Sequence, residues 1–313
     1  MISKTSTKDM PREEWLAERM KGIGGSDAAA ILGLNPYHSP YALWTEKTGK
    51  ITPEDISDKE AVRLGNDLEQ YVAERFTEKT GKKVRRENFI LRNSDYPFAH
   101  ANIDRWVIGE NAGLECKTSS SYDMARQCKE GEIPKHYYCQ CVHYMMVTGA
   151  QKWYLGILVF GSGFYLFEIE RNEDEIAALA DAERCFWENV TRDVPPAIDG
   201  SQATTDALQT IFAESNGESV DLTGVSNFID LYNEVGRQIK GLENLRDEYA
   251  NHIKEYMGEA EKGTYGDTTV SWKTQTRRTL DKEAVAGLLG TIPENCFKAS
   301  SSRPFKVTVK KTA

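Results

Sequence analysis

The order of helical and strand-like segments predicts an α/β protein: a central mixed sheet flanked by helices, followed by a smaller α+β extension. Three observations carry this. Residues 59–79 repeat Leu64, Leu68, Val72 and Phe76 every four positions, the spacing of one buried helix face. Residues 83–118 and 152–170 hold strand-like runs joined by short turns, with a helical stretch over 135–148 between them. Composition then shifts at residue 198 toward Ser, Thr, Gly and acids, the signature of a connection rather than a core.

Each element follows from local chemistry. Residues 12–34 read as helix, turn, helix; the turn is Gly22-Ile23-Gly24-Gly25, and Ser26 suits the N-cap of a helix from Asp27 to Leu32. Asn35, Pro36 and Pro40 mark a loop before a short helix ending near Lys47. Lys83–Leu91 reads as one strand. Phe98–Ile108 and Gly113–Thr118 read as a hairpin turning at Gly109-Glu110-Asn111-Ala112. Lys152–Val159 and Gly163–Glu170 read as a second hairpin, and Glu173–Val190 as a helix stopping before Pro195-Pro196. The expected organisation is a core over 1–197, a linker over 198–224 and an extension over 225–313. The extension opens with a helix over 225–258 that Gly258 ends, and strands around a short helix at 281–289 follow.

Bulk properties narrow the function classes. With 313 residues, 40% of them hydrophobic, the chain can bury a sizeable core. It has no apolar run of about 18 residues, so no membrane span is expected. The start, MISKTSTKDMPREEW, lacks the apolar stretch of a secretory signal. The six cysteines form neither a disulfide framework nor a CxxC pair and read as reduced thiols of a cytoplasmic protein. The net charge of −9 leaves nucleic-acid chemistry open, because charge acts locally and a catalytic carboxylate cluster is itself acidic.

The chemistry-bearing pattern is Asp104 followed by Glu115-Cys116-Lys117 on two adjacent strands. Residues two apart in a strand share a face, so Glu115 and Lys117 point together. A turn near Gly109 and Glu110 sets Asp104 almost opposite Glu115. Two carboxylates and an ammonium then converge, as a Mg²⁺ ion and a phosphodiester require. The lysine would hold or deprotonate a water and offset charge in the transition state. The same spacing also fits an exposed, salt-bridged hairpin. Glu69, beside the apolar stripe of the 59–79 helix, is a further candidate carboxylate, or a solvated helix charge. Gln140 and Tyr144 lie one helical turn apart, as a site support or a boundary hydrogen bond. His100, His136 and His143 lack the spacing of a zinc helix and read as structural or DNA-facing.

Together these residues resemble the PD-(D/E)xK nuclease superfamily, and more closely the YqaJ-type viral recombinases that include the lambda-type phage exonucleases. The resemblance covers about residues 12–195 and rests on five segments in order: EWLAERMKGIGGSDAAAILG, RLGNDLEQYVAERF, ANIDRW, GLECKTSS and YYCQCVHYMMVTG. Ile103 stands where the family has proline. The resemblance implies a PD-(D/E)xK core in which Glu69, Asp104, Glu115 and the carbonyl of Cys116 bind Mg²⁺, with Mn²⁺ able to substitute. It implies Lys117 as the catalytic lysine, with Gln140 and Tyr144 in support. It further implies a 5′→3′ exonuclease on linear duplex DNA that releases 5′-mononucleotides, leaves a 3′ single strand, works with a phage annealing protein, and forms a ring-shaped homotrimer.

Arg19 and Ser26 fall where such exonucleases hold the terminal 5′-phosphate. A glycine-rich turn opening a helix also presents free N–H groups to an anion. Asp27 either orients Arg19 or favours the helix start. Residues 225–261 carry net charge −4, and 262–313 carry +6. Arg277, Arg278, Lys306 and Lys310, with Trp272, Lys273, Arg303 and Lys311, make the basic stretch either a DNA-contacting module or a solvated face.

Overall fold

A computed structural model describes residues 1–53, 55–276 and 282–289. The chain divides into two compact units, Met1–Phe212 and Ala213–Ala313.

In the first unit, a five-stranded mixed sheet has the order β2-β5-β6-β7-β8: β2 Val84–Arg86, β5 Arg105–Val107, β6 Ala112–Ser119, β7 Lys152–Val159 and β8 Gly163–Glu170. Strands β6 and β7 pair in parallel, and the other neighbours are antiparallel. A smaller antiparallel sheet of order β1-β3-β4 comprises Ile2–Ser6, Phe89–Asn93 and His100–Asn102. Helices α1 Arg12–Met20, α2 Gly25–Ile31, α3 Pro40–Lys47, α4 Glu60–Thr80, α5 Tyr122–Glu130, α6 Lys135–Thr148, α7 Glu173–Thr191 and α8 Gln202–Ile211 complete the unit.

The sheet is buried on both faces. On one, Ala73 and Phe76 of α4 pack against Val107, Leu114 and Tyr154. On the other, Trp153, Leu155 and Ile157 meet the almost wholly buried α6, which also packs on α2 and α7. Glycine permits one close approach: a Cβ on Gly113 would sit 2.3 Å from the Trp153 ring.

Two single strands of the sequence reading are each divided between sheets. Residues 83–91 supply β2 to the large sheet and β3 to the small one. The change occurs at buried Glu87, whose carboxylate takes Lys4 at 2.6 Å and Arg85 at 2.5 Å. Residues 98–108 likewise split into β4 and β5, with Ile103 and Asp104 between. Alternation within a run shows strand character but cannot show which sheet receives it. Strand β1 and helices α5 and α8 were not anticipated. Helix α8 lies where a linker was expected. Its Thr204 donates to Ser39 Oγ at 2.8 Å, and Ala207 enters the core, so the first unit extends to Phe212.

The second unit contains α9 Ser226–Met257, the hairpin β9 Lys262–Tyr265 and β10 Thr268–Ser271, and α10 Lys282–Leu289. Helix α9 begins and ends close to the expected 225–258, with Gly258 at its C-cap. Arg277, Arg278, Arg303, Lys306, Lys310 and Lys311 lie outside the described residues. Among the described residues no helix is long and apolar enough to cross a membrane.

Candidate active site and anion pocket

Strand β6 sets the centre. Leu114 and Cys116 point into the apolar cluster under α4, so Glu115 and Lys117 point the other way, toward α6. The register Arg105↔Leu114 extends to place Asp104 opposite Glu115, as the hairpin reading expected. Asp104 ends the β5 pairing by using its side chain: Oδ2 accepts the Cys116 N–H at 2.8 Å. This fixes a carboxylate against β6.

Lys117 Nζ lies 2.6 Å from Glu115 Oε1 and 5.1 Å above the Tyr137 ring. Gln140 Nε2 donates to Glu115 Oε1 and to the Tyr144 hydroxyl, both at 2.8 Å. Glu115 is 2% exposed, and its second oxygen is buried without a hydrogen-bond partner. Burial, reinforced by Glu115 and Glu69 against the opposing pull of Lys117, raises the Asp104 carboxyl well above the ordinary range. For Lys117, burial acts downward, but Glu115 and Asp104 outweigh it and the ammonium is held above its usual range.

Glu69 comes near these groups from α4, yet it is engaged elsewhere. It pairs with Arg105 and approaches Arg86 at 4.0 Å. Among the described residues, no three His, Cys, Asp or Glu side chains cluster closely enough to enclose a metal ion. Asp104 and Glu115 suit a hard divalent cation, since one or two carboxylates plus waters and phosphate oxygens suffice for Mg²⁺. The orphaned Glu115 oxygen supplies an anionic ligand with no competing partner.

The N-terminal pair also meets. Arg19 donates to Ser26 Oγ at 2.9 Å and stacks 4.7 Å over Trp15. Ser26 is not the N-cap. Helix α2 starts at Gly25 with Gly24 at the N-cap, Asp27 Oδ2 receives the Gly24 N–H at 3.0 Å, and the exposed Ser26 hydroxyl faces Arg19. Asp27 is an anchor of this turn: Lys47 Nζ lies 2.8 Å from it and donates to Gly22 O at 2.8 Å. Burial pushes the Asp27 carboxyl upward, but Lys47 and Arg19 outweigh it and hold it well below the usual carboxylate range. The start of α2 adjoins the centre through Gly25, where a Cβ would meet Tyr144 at 2.5 Å and Gln140 at 3.1 Å.

The histidines divide. His143 is buried between Glu183 at 2.7 Å and the His100 carbonyl at 2.9 Å. His100 is buried with neither ring nitrogen hydrogen-bonded, and burial lowers its pKa to about 3. His136 lies against Tyr137 with ring centroids 4.1 Å apart and the rings tilted by 56°.

Sequence reasoning missed Arg105, Tyr137, Lys47 and Trp15. Trp15 alone had a readable signal, since Arg12 and Arg19 stand three and four residues away on one helix face. The others act through contacts distant in sequence.

Comparison with known proteins concerns the family and the fold. Residues 14–151 match the YqaJ-like viral recombinase domain. The chain is 39% identical over 304 residues to the uncharacterized protein YqaJ of Bacillus subtilis (strain 168), covering 96% of this chain and 95% of that one. The fold is similar to the crystal structure of an alkaline exonuclease, LHK-Exo, from Laribacter hongkongensis, at TM-score 0.50 and 20% identity, over 58% of this chain and 94% of that chain. The same exonuclease in complex with dAMP matches equally, at TM-score 0.50 and 20% identity. Matched nearly end to end by a relative at 39% identity, the chain belongs to the YqaJ-like viral recombinase family.

Proposed function

We propose that the chain is a Mg²⁺-dependent 5′→3′ exonuclease that digests linear double-stranded DNA to 5′-mononucleotides and leaves a 3′ single strand. The observation that carries this reading is the meeting of Asp104, just before β5, with Glu115 and Lys117 of β6, where a buried Glu115 oxygen lacks a partner. Asp104, Glu115 and the Cys116 carbonyl would hold the cation, with Glu69 as the further carboxylate that the family resemblance implies. When bound, it supplies neutralisation of the scissile phosphate and a more acidic water. Lys117 presents an ammonium to the phosphoryl oxygens, where fixed positive charge is worth most. Gln140 orients Glu115, and Tyr144 orients Gln140.

Polarity follows from the anion pocket. Arg19 offers a planar charged fork, and Ser26 with the free N–H groups of α2 offers neutral donors to the same phosphate. Gly25 seats that pocket against Gln140 and Tyr144, so a held 5′-phosphate would set the register of the next bond. Family membership supports the remaining parts of the reading: a homotrimeric ring, work in the bacterial cytoplasm, and delivery of the 3′ strand to a phage annealing protein.

End-labelled linear duplexes carrying 5′-phosphate or 5′-hydroxyl, incubated with Mg²⁺ or EDTA, test the reading. Expected are Mg²⁺-dependent release of mononucleotides from the 5′ end, resistance of closed circles, and a preference for the phosphate of roughly tenfold. Arg19→Ala should slow the phosphorylated substrate and leave the hydroxyl-ended one nearly unchanged. Equal slowing of both would move the pocket elsewhere, and cutting of closed circles would make the enzyme an endonuclease.

A further inference from the structure

Helix α9 runs for 32 residues, and none of them is buried. At 1.5 Å per residue it is about 48 Å long. Phe228, Val235, Leu242, Tyr249 and Tyr256 recur along it at intervals of seven. Apolar neighbours such as Ile239 and Leu245 stand three residues to either side of this column. Each of these seven side chains is at least 41% exposed, and Tyr256 is 96% exposed. The far side of the helix is polar, as Asp230, Arg237, Lys240 and Asp247 show.

The interval identifies what such a seam fits. Seven residues per two turns is 3.5 per turn, whereas a straight α-helix has 3.6. A column kept at strict sevens over four heptads drifts around a straight helix. It stays in contact only with another helix that is wound to the same repeat. Among the described residues the next longest helix is α4, with 21 residues, and its apolar face already packs on the sheet. The matching length and repeat are therefore those of α9 itself. The area is sufficient. Three aromatic rings that bury roughly 150 Å² or more each, together with the aliphatic side chains, approach the roughly 800 Å² per partner of a stable interface.

We propose that this seam pairs with the same seam of a second copy of this chain, α9 against α9. Leu242 is the middle of the column, with two members before it and two after. It meets its own counterpart whether the two helices run parallel or antiparallel, as a two-fold interface requires. The pairing involves no residue of the metal centre or the anion pocket, so it stands or falls apart from the nuclease reading.

The test uses the full chain in EDTA and without DNA, oxidised with diamide. Leu242→Cys should run mainly at twice the mass of the chain on a non-reducing gel. Lys240→Cys, on the polar face, should crosslink no more than wild type, whose exposed Cys185 sets the background. Equal crosslinking of the two variants, or none above background in Leu242→Cys, overturns the proposal. Sedimentation gives an independent reading. Leu242→Glu seats two carboxylates at the centre of the seam and should weaken the pairing by about a hundredfold or more, halving the mass of the particle. An unchanged mass with a lowered Tm would show that the seam packs within its own chain, and it overturns the proposal as well.

Discussion

Two acids, buried Asp27 and half-buried Asp104, stand in opposite electrostatic settings within one domain. Asp27 has an ammonium at 2.8 Å and a backbone N–H at 3.0 Å, and its carboxyl is held well below the usual range. Asp104 faces Glu115 with Glu69 behind, has Lys117 as an incomplete counterweight, and is held well above that range. The first acid is satisfied and holds a turn in place. The second is kept short of positive charge, and a divalent cation would supply what is missing. Clusters of this kind lower the stability of the empty protein and mark where chemistry is done.

Substitutions should separate the two settings. The largest effect on activity is expected at the strained acid. Asp104→Asn keeps an oxygen acceptor for the Cys116 N–H, so the fold should survive with an unchanged or raised Tm in EDTA. Nucleotide release should fall by about a thousandfold or more, because a hard-cation site with few ligands loses one. A variant cutting at near wild-type rate would remove Asp104 from the centre.

Next comes Lys117. Lys117→Ala should reduce kcat by roughly 10²–10³-fold, the scale of losing one preorganised charge at the reacting group. DNA affinity measured with Ca²⁺ should change little. Weakened binding with unaltered turnover would make Lys117 a phosphate anchor instead.

Smaller in activity but large in stability is the satisfied pair. Removing one partner with Lys47→Met should cost about 3 kcal/mol at pH 7, because buried Asp27 then loses its nearest counter-charge. The pH dependence has a definite sign. A carboxylate whose folded pKa is depressed contributes stability above its unfolded value, near 3.8, and loses it as pH falls through the folded one. The gap in Tm between wild type and Lys47→Met should therefore be full at neutral pH and narrow below about pH 4. A gap that stays constant down to pH 2 would show that the pair contributes by shape and not by charge.

Much of this molecule was legible beforehand. The helix over 59–79 declared itself by apolar spacing, and the Asp104–Glu115 opposition followed from the turn between their strands. Arg19 and Ser26 were singled out together, and they meet at 2.9 Å. The partners of these residues were harder to foresee. That the helix starts earlier, at Gly25, with Asp27 accepting the Gly24 N–H and held by Lys47 from another helix, was not visible in the local sequence. That Glu69 answers to Arg105 depends on α4 crossing the β5 face, which no local pattern records.

What the sequence alone determined is what repeats over short distances: helix and strand periodicity, the shared face of Glu115 and Lys117, and the glycine turn before α2. These depend only on backbone geometry and side-chain alternation. The tertiary structure alone decided the division of residues 83–91 and 98–108 between two sheets, the docking of α8 on α3, and the electrostatic fate of each acid. A carboxylate's protonation and partners are set by the charges that the fold brings within a few ångströms, and those charges arrive from residues tens of positions away.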